Sequence, residues 1–593
     1  MLILGLSAPK RDAAAALLSD RGLEAAIEES KIVRTRSFSG VPSNAIQFCL
    51  ARTNVTLKDV PIIAVASKPR HSYVGQKLLQ TKSTLLRLAP SAFSHSWTMA
   101  DSRWEAYPQE VLREMKESLK GPILYLEHQL CHAASTYYAS PFDRALILTL
   151  DEGGDGLSGT VAIGEGNRIR TLQTVDLPHS VGLIYSQVTH MLGFTAHLEE
   201  HKTQWLSLQG EPAFNSLFLE MFRGSKNGKL RLDLGYFDHR FACPIEFSDK
   251  FYSRLGLTKS SLRDELECIA PHLACSVQTA CTTLVCNFLD IWRKRTRATK
   301  LCLAGGVFLN TLLVGDVEKQ GQFDEIFVQP ASGNAGCALG AAWLTWHQVL
   351  GRHRQNPLPH VYWGPSFTAQ QVKEVLDNCK APYCWSRTDI ERNEETVRLL
   401  ESGRIVAWFQ GAAEFGPRAL GNRSLLASPW APYVRQNLND YIKKREYFRP
   451  FALSVTAEDC QHYFDCSRLV HFMTSIGWAR ESTRKLIKDF LLPGNRVRLH
   501  VVERGTNPAL WSLLKKFGER SPAPFLINTS FNLHGEPLVI SPRDAVRSFF
   551  CSGVDALRID GFMLSKNRRD FSLRPYEQVC WSPKSTSLSK TAW

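Results

Sequence analysis

LEHQLCHAASTYYAS, residues 126–140, leads after four residues into ALILTLDEGGDG, residues 145–156. The first stretch reads as helix, so His128 and His132 project from one face one turn apart and can grip a single metal ion. The second reads as an apolar strand ending at Asp151, followed by a turn in which Gly153, Gly154 and Gly156 let the backbone bend and approach a ligand. Two imidazoles and a carboxylate leave coordination positions open, which suits a catalytic metal better than a closed structural one. Capping or packing by the histidine pair is the competing reading.

Outward from this stretch, MLILGLS (1–7), VPIIAVAS (60–67), GPILYLEH (121–128), GTVAIGEG (159–166) and KLCLAGGVFLN (300–310) read as strands or strand-to-turn junctions separated by longer patterned segments. This is an α/β pattern with two related lobes, assigned to residues 1–350. The Pro- and Gly-bearing end of HQVLGRHRQNPLPHVYWGP supplies a linker at 351–365. A second α/β unit at 366–566 begins with helices near Thr368–Asn378 and Asn393–Ser402, the strand RIVAWFQ (404–410) and a helix near Tyr433–Lys444. No repeat of short period is present. Residues 567–593 are basic and Ser-rich without a clear period, and read as a peripheral tail.

A chain of 593 residues exceeds a single core. Its 44% hydrophobic content is that of a globular protein, and no apolar run approaches the roughly 20 residues that cross a bilayer, so no membrane partner is expected. The opening residues lack the basic flank of a signal peptide, which gives a cytoplasmic expectation. Fifteen scattered cysteines with no CxxC pair read as buried thiols, and Cys275, Cys281 and Cys286, spaced by six and five, as core packing. A formal net charge of +14 points to anionic ligands or surfaces without choosing among them.

Three further constellations carry chemistry. AGGVFLN (304–310) puts Gly305 and Gly306 at a strand end, where backbone amides can approach a nucleotide and Asn310 can reach ribose or base; a tight packing turn is the competing reading. QPASGNAGCALGAAW (329–343) opens a helix at Gly333–Gly336 whose amides can bind phosphate, with Asn334 able to turn its oxygen to a metal. In the second unit EFGPRALGNRS carries Arg418 and Arg423, KKREYFRP carries Lys443, Arg445 and Arg449, RVRLHV carries Arg496 and Arg498, and NTSFN carries Asn528 and Ser530. Arginine forks and lysine charges beside Gly/Pro turns favour convergence on a bound polyphosphate over a solvated basic face.

These motifs, with SVGLIYSQVTHMLGF (180–194) and WFQGAAEFGPRALGNRS (408–424), resemble in order those of the NodU/CmcH-type O-carbamoyltransferases over nearly the whole chain to about Lys566. The resemblance implies an actin/Hsp70-like (TsaD-like) two-lobed domain followed by a YrdC-like α/β domain. It implies that the second domain makes carbamoyladenylate from carbamoyl phosphate and ATP, with Mg2+ accompanying the nucleotide. The first would pass the carbamoyl group to a hydroxyl of a small natural-product or sugar acceptor. His128, His132 and Asp151, with Asn334 at a fourth position, would hold a divalent metal, Fe2+ being expected. Lys202, Gly305, Gly306 and Asn310 would bind the adenylate. Arg418, Lys443, Arg449, Arg498 and Ser530 would carry the second-domain chemistry, with Arg423 and Asn528 binding ATP and carbamoyl phosphate. No nucleic-acid partner is expected, and a homodimer is allowed.

Departures from the family pattern keep alternatives open. Arg11 precedes Asp12 where the family reads His-Asp, Asn334 replaces an aspartate, and Ala412 an arginine. Arginine cannot serve as a general base. A transfer-deficient relative is one alternative, and a tRNA threonylcarbamoyl-type modification enzyme, which shares both domain types, is the other.

Overall fold

The structure is a computed structural model that describes residues 1–8, 11–68, 121–223, 227–238, 246–259 and 263–567; all but the first residue of the expected basic tail lies outside them. The first sheet comprises β1 (Ile3–Ser7), β2 (Ala14–Ser19), β3 (Gly22–Glu28), β4 (Ile62–Val65) and β5 (Ile123–Tyr125), in the order β3-β2-β1-β4-β5. Strands β1 to β3 form an antiparallel meander, and β4 and β5 run parallel to β1.

The second sheet repeats this plan. It follows β6 (Arg144–Gly154), β7 (Leu157–Glu165) and β8 (Arg168–Asp176) as a meander; a short ribbon, β9 (Phe237–Asp238) with β10 (Glu246–Phe247), intervenes before β11 (Lys300–Ala304) and β12 (Glu325–Val328). The order β12-β11-β6-β7-β8, with β11 and β12 parallel to β6, is that of the first sheet. The two lobes expected from the α/β pattern are therefore copies of one topology.

Strand β2 has no strand signal in its Ala-rich sequence, and packing explains it. The helix Gly336–Leu344 lies so close to the first sheet that a Cβ on Gly5 would stand 2.0 Å from the Ala338 carbonyl oxygen. The same helix crosses the helix His128–Tyr137 where a Cβ on Gly340 would stand 1.8 Å from the Cys131 carbonyl oxygen. Small residues on the sheet and both helices are what allow this approach, at the expense of strand propensity.

Residues 351–365 contain no regular element, as expected of a linker, but they form a strap on the first domain. Arg354 donates to the carbonyls of Tyr137 and Ser140 at 2.7 and 3.0 Å, and Leu358 N–H to Ala139 O at 3.0 Å. The helix Arg263–Thr296 is the one element among the described residues long and apolar enough to span a membrane by length and composition. Its Leu273, Val277, Leu284 and Phe288 face the main core of the second lobe, as do buried Cys281 and Cys286.

The second domain is built on an eight-stranded mixed sheet. In chain order its strands and those of a small side sheet are β13 (Cys384–Trp385), β14 (Val406–Phe409), β15 (Arg423–Ala427), β16 (Ala452–Thr456), β17 (Phe464–Asp465), β18 (Gly477–Ala479), β19 (Arg496–Val497), β20 (Leu499–Val502), β21 (Leu526–Ser530), β22 (Ala556–Ile559) and β23 (Phe562–Ser565). The large sheet runs β13-β23-β22-β14-β15-β21-β16-β20, and β17, β18 and β19 form the small one.

The domains meet along a polar seam. Lys31 Nζ pairs with Glu28 Oε2 at 2.9 Å and donates to the carbonyls of Glu414 and Gly416, both at 2.7 Å; Glu28 Oε1 accepts the Gly416 N–H at 2.7 Å. Arg34 pairs with Glu536 at 2.8 Å, and Lys202 with Glu446 at 2.6 Å.

Candidate active site

The helix carrying the histidines starts where Glu127 caps it, accepting from the N–H groups of Gln129 and Leu130 at 2.7 and 2.8 Å. Asp155 fixes its first residue by accepting the His128 N–H at 2.9 Å. Gly154 makes room for the imidazole: a Cβ there would stand 2.1 Å from the His128 ring. Both Nε2 atoms face one oxygen, Asp151 Oδ2, at 3.2 Å from His128 and 3.3 Å from His132. Donors spaced this way subtend about 100° at an ion held roughly 2.1 Å from each, within the range of divalent coordination. Burial alone would raise the Asp151 pKa, but its contacts with the two imidazoles outweigh burial and hold it well below the ordinary value.

The remaining first-domain residues surround this triad. Gly306 N–H donates to Asp151 Oδ1 at 3.3 Å. Gly305 has a different role: at φ 100° a Cβ would stand 2.1 Å from Leu150 O, and its N–H is used by Ser332 O, so the packing-turn reading holds for it. Asn310 lines the cavity but commits its side chain elsewhere, capping the helix Thr311–Lys319 through Leu313 N–H and donating to Gln278 at 2.6 Å. Asn334 Nδ2 donates to Arg11 O at 3.1 Å, leaving a buried Oδ1 with no hydrogen-bond partner among the described residues.

A cavity of about 560 Å3 joins this centre to the second domain; Asp151, Gly306, Asn334 and Lys202 line it together with Arg418, Lys443, Arg445, Arg449, Arg498, Asn528 and Ser530. The cations are crowded. Burial followed by Arg449 pushes Arg418 down to about 10, and burial followed by the same neighbour takes Arg445 to about 9. Arg498 falls well below its ordinary value through burial and then Arg418, Arg445 and Arg449. Lys443, buried beside Arg445 and Arg449, is also well lowered; its Nζ reaches the Ser530 carbonyl, Ser530 Oγ at 3.2 Å and Asn532 Oδ1 at 2.7 Å. Mutual depression of this kind marks a site short of negative charge, which a phosphate-bearing anion supplies.

Arg423 is not brought to this cluster. Its side chain is fully buried beneath the loop 411–423, where it donates to the carbonyls of Gln410, Asn422, Pro365 and Gly411 at 2.6 to 3.2 Å and lies over the Phe409 ring. It binds backbone, and the sequence run that suggested a ligand contact does not distinguish the two uses.

Two residues outside the sequence-predicted set bear on the site, Asp12 in the cavity lining and Glu446 beside the cations that line it. Asp12, with φ 60°, is raised to about 6 by burial and then by Glu28 and Asp151. Glu446 pairs with Lys202 across the domains and stands near Arg449, 3.8 Å away. In sequence Asp12 is marked only by its place beside Arg11.

A site with a His–His–Asp cluster at one end and crowded buried cations at the other suits transfer of a group carried on phosphate. Comparison with known proteins gives that class a family. A model of the carbamoyltransferase N-terminus matches residues 2–343, and one of the carbamoyltransferase C-terminus matches residues 397–566. The chain belongs to the carbamoyltransferase family and is a transferase enzyme. An uncharacterized Synechocystis protein is 34% identical, covering 95% of this chain and 96% of its own. Nodulation protein NolNO of Sinorhizobium fredii is 32% identical over 96% of this chain and 82% of its own. The 3'-hydroxymethylcephem-O-carbamoyltransferase of Amycolatopsis lactamdurans is 31% identical over 46% of this chain and 50% of its own.

Proposed function

We propose that this chain is an ATP-dependent O-carbamoyltransferase. Its eight-stranded domain is read as the YrdC-like unit, which makes carbamoyladenylate from carbamoyl phosphate and ATP; its two-lobed domain passes the carbamoyl group to a hydroxyl of a small-molecule acceptor. The observation that carries this reading is one cavity lined both by the cationic cluster and by Asp151, whose Oδ2 faces the Nε2 atoms of His128 and His132.

Each end has a defined task. Arg418, Arg449, Arg498 and Lys443 hold the phosphate oxygens of both substrates and offset charge that builds as the α-phosphate is attacked. Ser530 and Asn532 orient the Lys443 ammonium through the contacts described above. His128, His132 and Asp151, with Asn334 beside them, fit a divalent cation, expected to be iron, which when bound polarises the carbamoyl carbonyl. Asp12 is the group placed to accept the acceptor hydroxyl proton, since its raised pKa of about 6 gives a carboxylate of useful basicity near neutrality. That role replaces the one Arg11 cannot fill. The seam between the domains keeps the adenylate from water.

Carbamoyl-phosphate-dependent pyrophosphate release from ATP, by protein prepared anaerobically with iron and Mg2+ and without acceptor, tests the first half. Release with carbamoyladenylate detected by mass spectrometry is the expected result. No release, or a requirement for L-threonine and bicarbonate, overturns it.

A further inference from the structure

Strands β20, β16 and β21 lie side by side, and His500, Ser454 and Asn528 share one face of them: Ser454 is opposite His500, and Asn528 is opposite Ala452, two residues from Ser454. Asn528 Nδ2 lies 3.3 Å from Ala419 O, 3.0 Å from Ser454 Oγ and 3.1 Å from His500 Nδ1. A backbone carbonyl only accepts, so this end of the amide must be its NH2 group. Burial takes the His500 pKa down to about 3, leaving a neutral ring, and its Nδ1 is 2.9 Å from Ser454 Oγ. The amide is therefore turned one way. Among the described residues its oxygen has no hydrogen-bond partner although the residue is 2% exposed, and the residue lines the cavity.

We propose that His500 sets acyl selectivity in the cationic half of the cavity, by holding Asn528 so that its carbonyl oxygen accepts from the –NH2 group of the acyl phosphate. The inference rests on carbamoyl phosphate being the substrate there. Arg418, Lys443 and Arg498 are all donors and serve the phosphate oxygens of any acyl phosphate alike. Asn528 Oδ1 is a neutral acceptor, and it distinguishes an amide from a methyl group. Acetyl phosphate has the shape of carbamoyl phosphate but would bury that oxygen without a partner, and sites built to hydrogen-bond a group reject the analogue lacking it. His500 does not touch the ligand in this account; it is a positioning residue acting through Asn528.

The test compares, in the full-length protein, the KM for carbamoyl phosphate in pyrophosphate release with the Ki of acetyl phosphate as competitor. The wild type is expected to favour carbamoyl phosphate. His500→Leu removes one of the three groups that hold the amide NH2, and loosens Ser454 as well, and should reduce the Ki/KM discrimination by about tenfold or more, the equivalent of one hydrogen bond of roughly 1.4 kcal/mol. His500→Asn, whose oxygen can stand near the imidazole Nδ1 position, should restore most of it. Both constants come from the folded molecules alone, so partial unfolding of a variant does not imitate the effect. Unchanged discrimination in His500→Leu, or equal loss in both variants, overturns the role of His500. A wild type that releases no pyrophosphate with carbamoyl phosphate overturns the substrate reading and this inference with it, a result distinct from an active enzyme of unaltered selectivity.

Discussion

Replacing Lys31 with methionine tests whether the seam between the domains holds Arg418 in place. Lys31 and Glu28 are 5% and 6% exposed, and the ammonium meets a carboxylate and two carbonyls, at 2.9, 2.7 and 2.7 Å. Methionine preserves the stem but leaves the Glu28 carboxylate buried without its partner, a change that costs roughly 3–5 kcal/mol. Adding Glu28→Gln removes that stranded charge while keeping an acceptor for the Gly416 N–H, now at 2.7 Å. The double variant should therefore recover about 2 kcal/mol relative to Lys31→Met, a coupling of the size expected for residues in contact. Urea unfolding of the four proteins in the cycle measures this. Hydrogen exchange at Gly416 and Leu420 reports whether the loss is local to the loop. A Lys31→Met cost below about 1 kcal/mol, or strict additivity, would refute the argument that this pair ties the Arg418 loop to the first sheet.

Other expectations follow from the same geometry. His128→Ala or His132→Ala should weaken divalent-metal binding by about 100-fold or more, since loss of mere supporting residues commonly costs 10–100-fold; metal content after anaerobic loading and dialysis checks it, and Asn334→Ala should have a smaller effect. Because burial, Arg445 and Arg449 lower the Lys443 pKa, an arriving anion raises it again. Binding of ATP should thus take up protons at alkaline pH and weaken as pH rises, seen calorimetrically as an enthalpy that varies with the buffer's ionisation heat. Carbamoyl transfer should show an acid limb at or below pH 6, where Asp12 takes up a proton and ceases to act as a base, with a bound cation at Asp151 moving it lower; Asp12→Asn should abolish transfer while sparing pyrophosphate release.

The legible parts of this chain were those where chemistry and local period coincide. The His128/His132 spacing foretold a shared helix face, and the apolar run ending at Asp151 foretold β6, because a four-residue spacing and an unbroken apolar run are both local signals. Strands β2 and β3 escaped, since an Ala-rich strand is dictated by how closely Gly336–Leu344 lies on the sheet, which is set by residues more than 300 positions away. Arg423 and Arg418 stand in one motif and look equivalent in sequence. Only the fold separates the arginine that binds carbonyls beneath the loop from the one that reaches the cavity. The helix near Tyr433–Lys444 was legible as a helix, but its widened final turns, Asn437–Lys443, which deliver the Lys443 side chain, were not.

The distribution of charge differs between the two domains that line the cavity. Around the second-domain end of the cavity, the cations depress one another's pKa values, and Glu446, which stands beside Arg449, is itself drawn toward Lys202 of the first domain. At the other end burial, followed by Glu28 and Asp151, raises Asp12 to about 6. One end is rich in cations and the other in carboxylates. The seam places the two on one cavity, so that in the proposed reaction a phosphate-bearing intermediate would meet the cations and a divalent ion the carboxylates. An intermediate made at the cationic end then needs no exit into water to reach the metal end. The Lys202–Glu446 pair, 2.6 Å across the junction, is the contact whose opening would lose that advantage first. Glu446→Gln should accordingly raise the yield of free carbamate and AMP per carbamoyladenylate formed, measured by quenched turnover without acceptor; an unchanged yield would show that shielding does not depend on this junction.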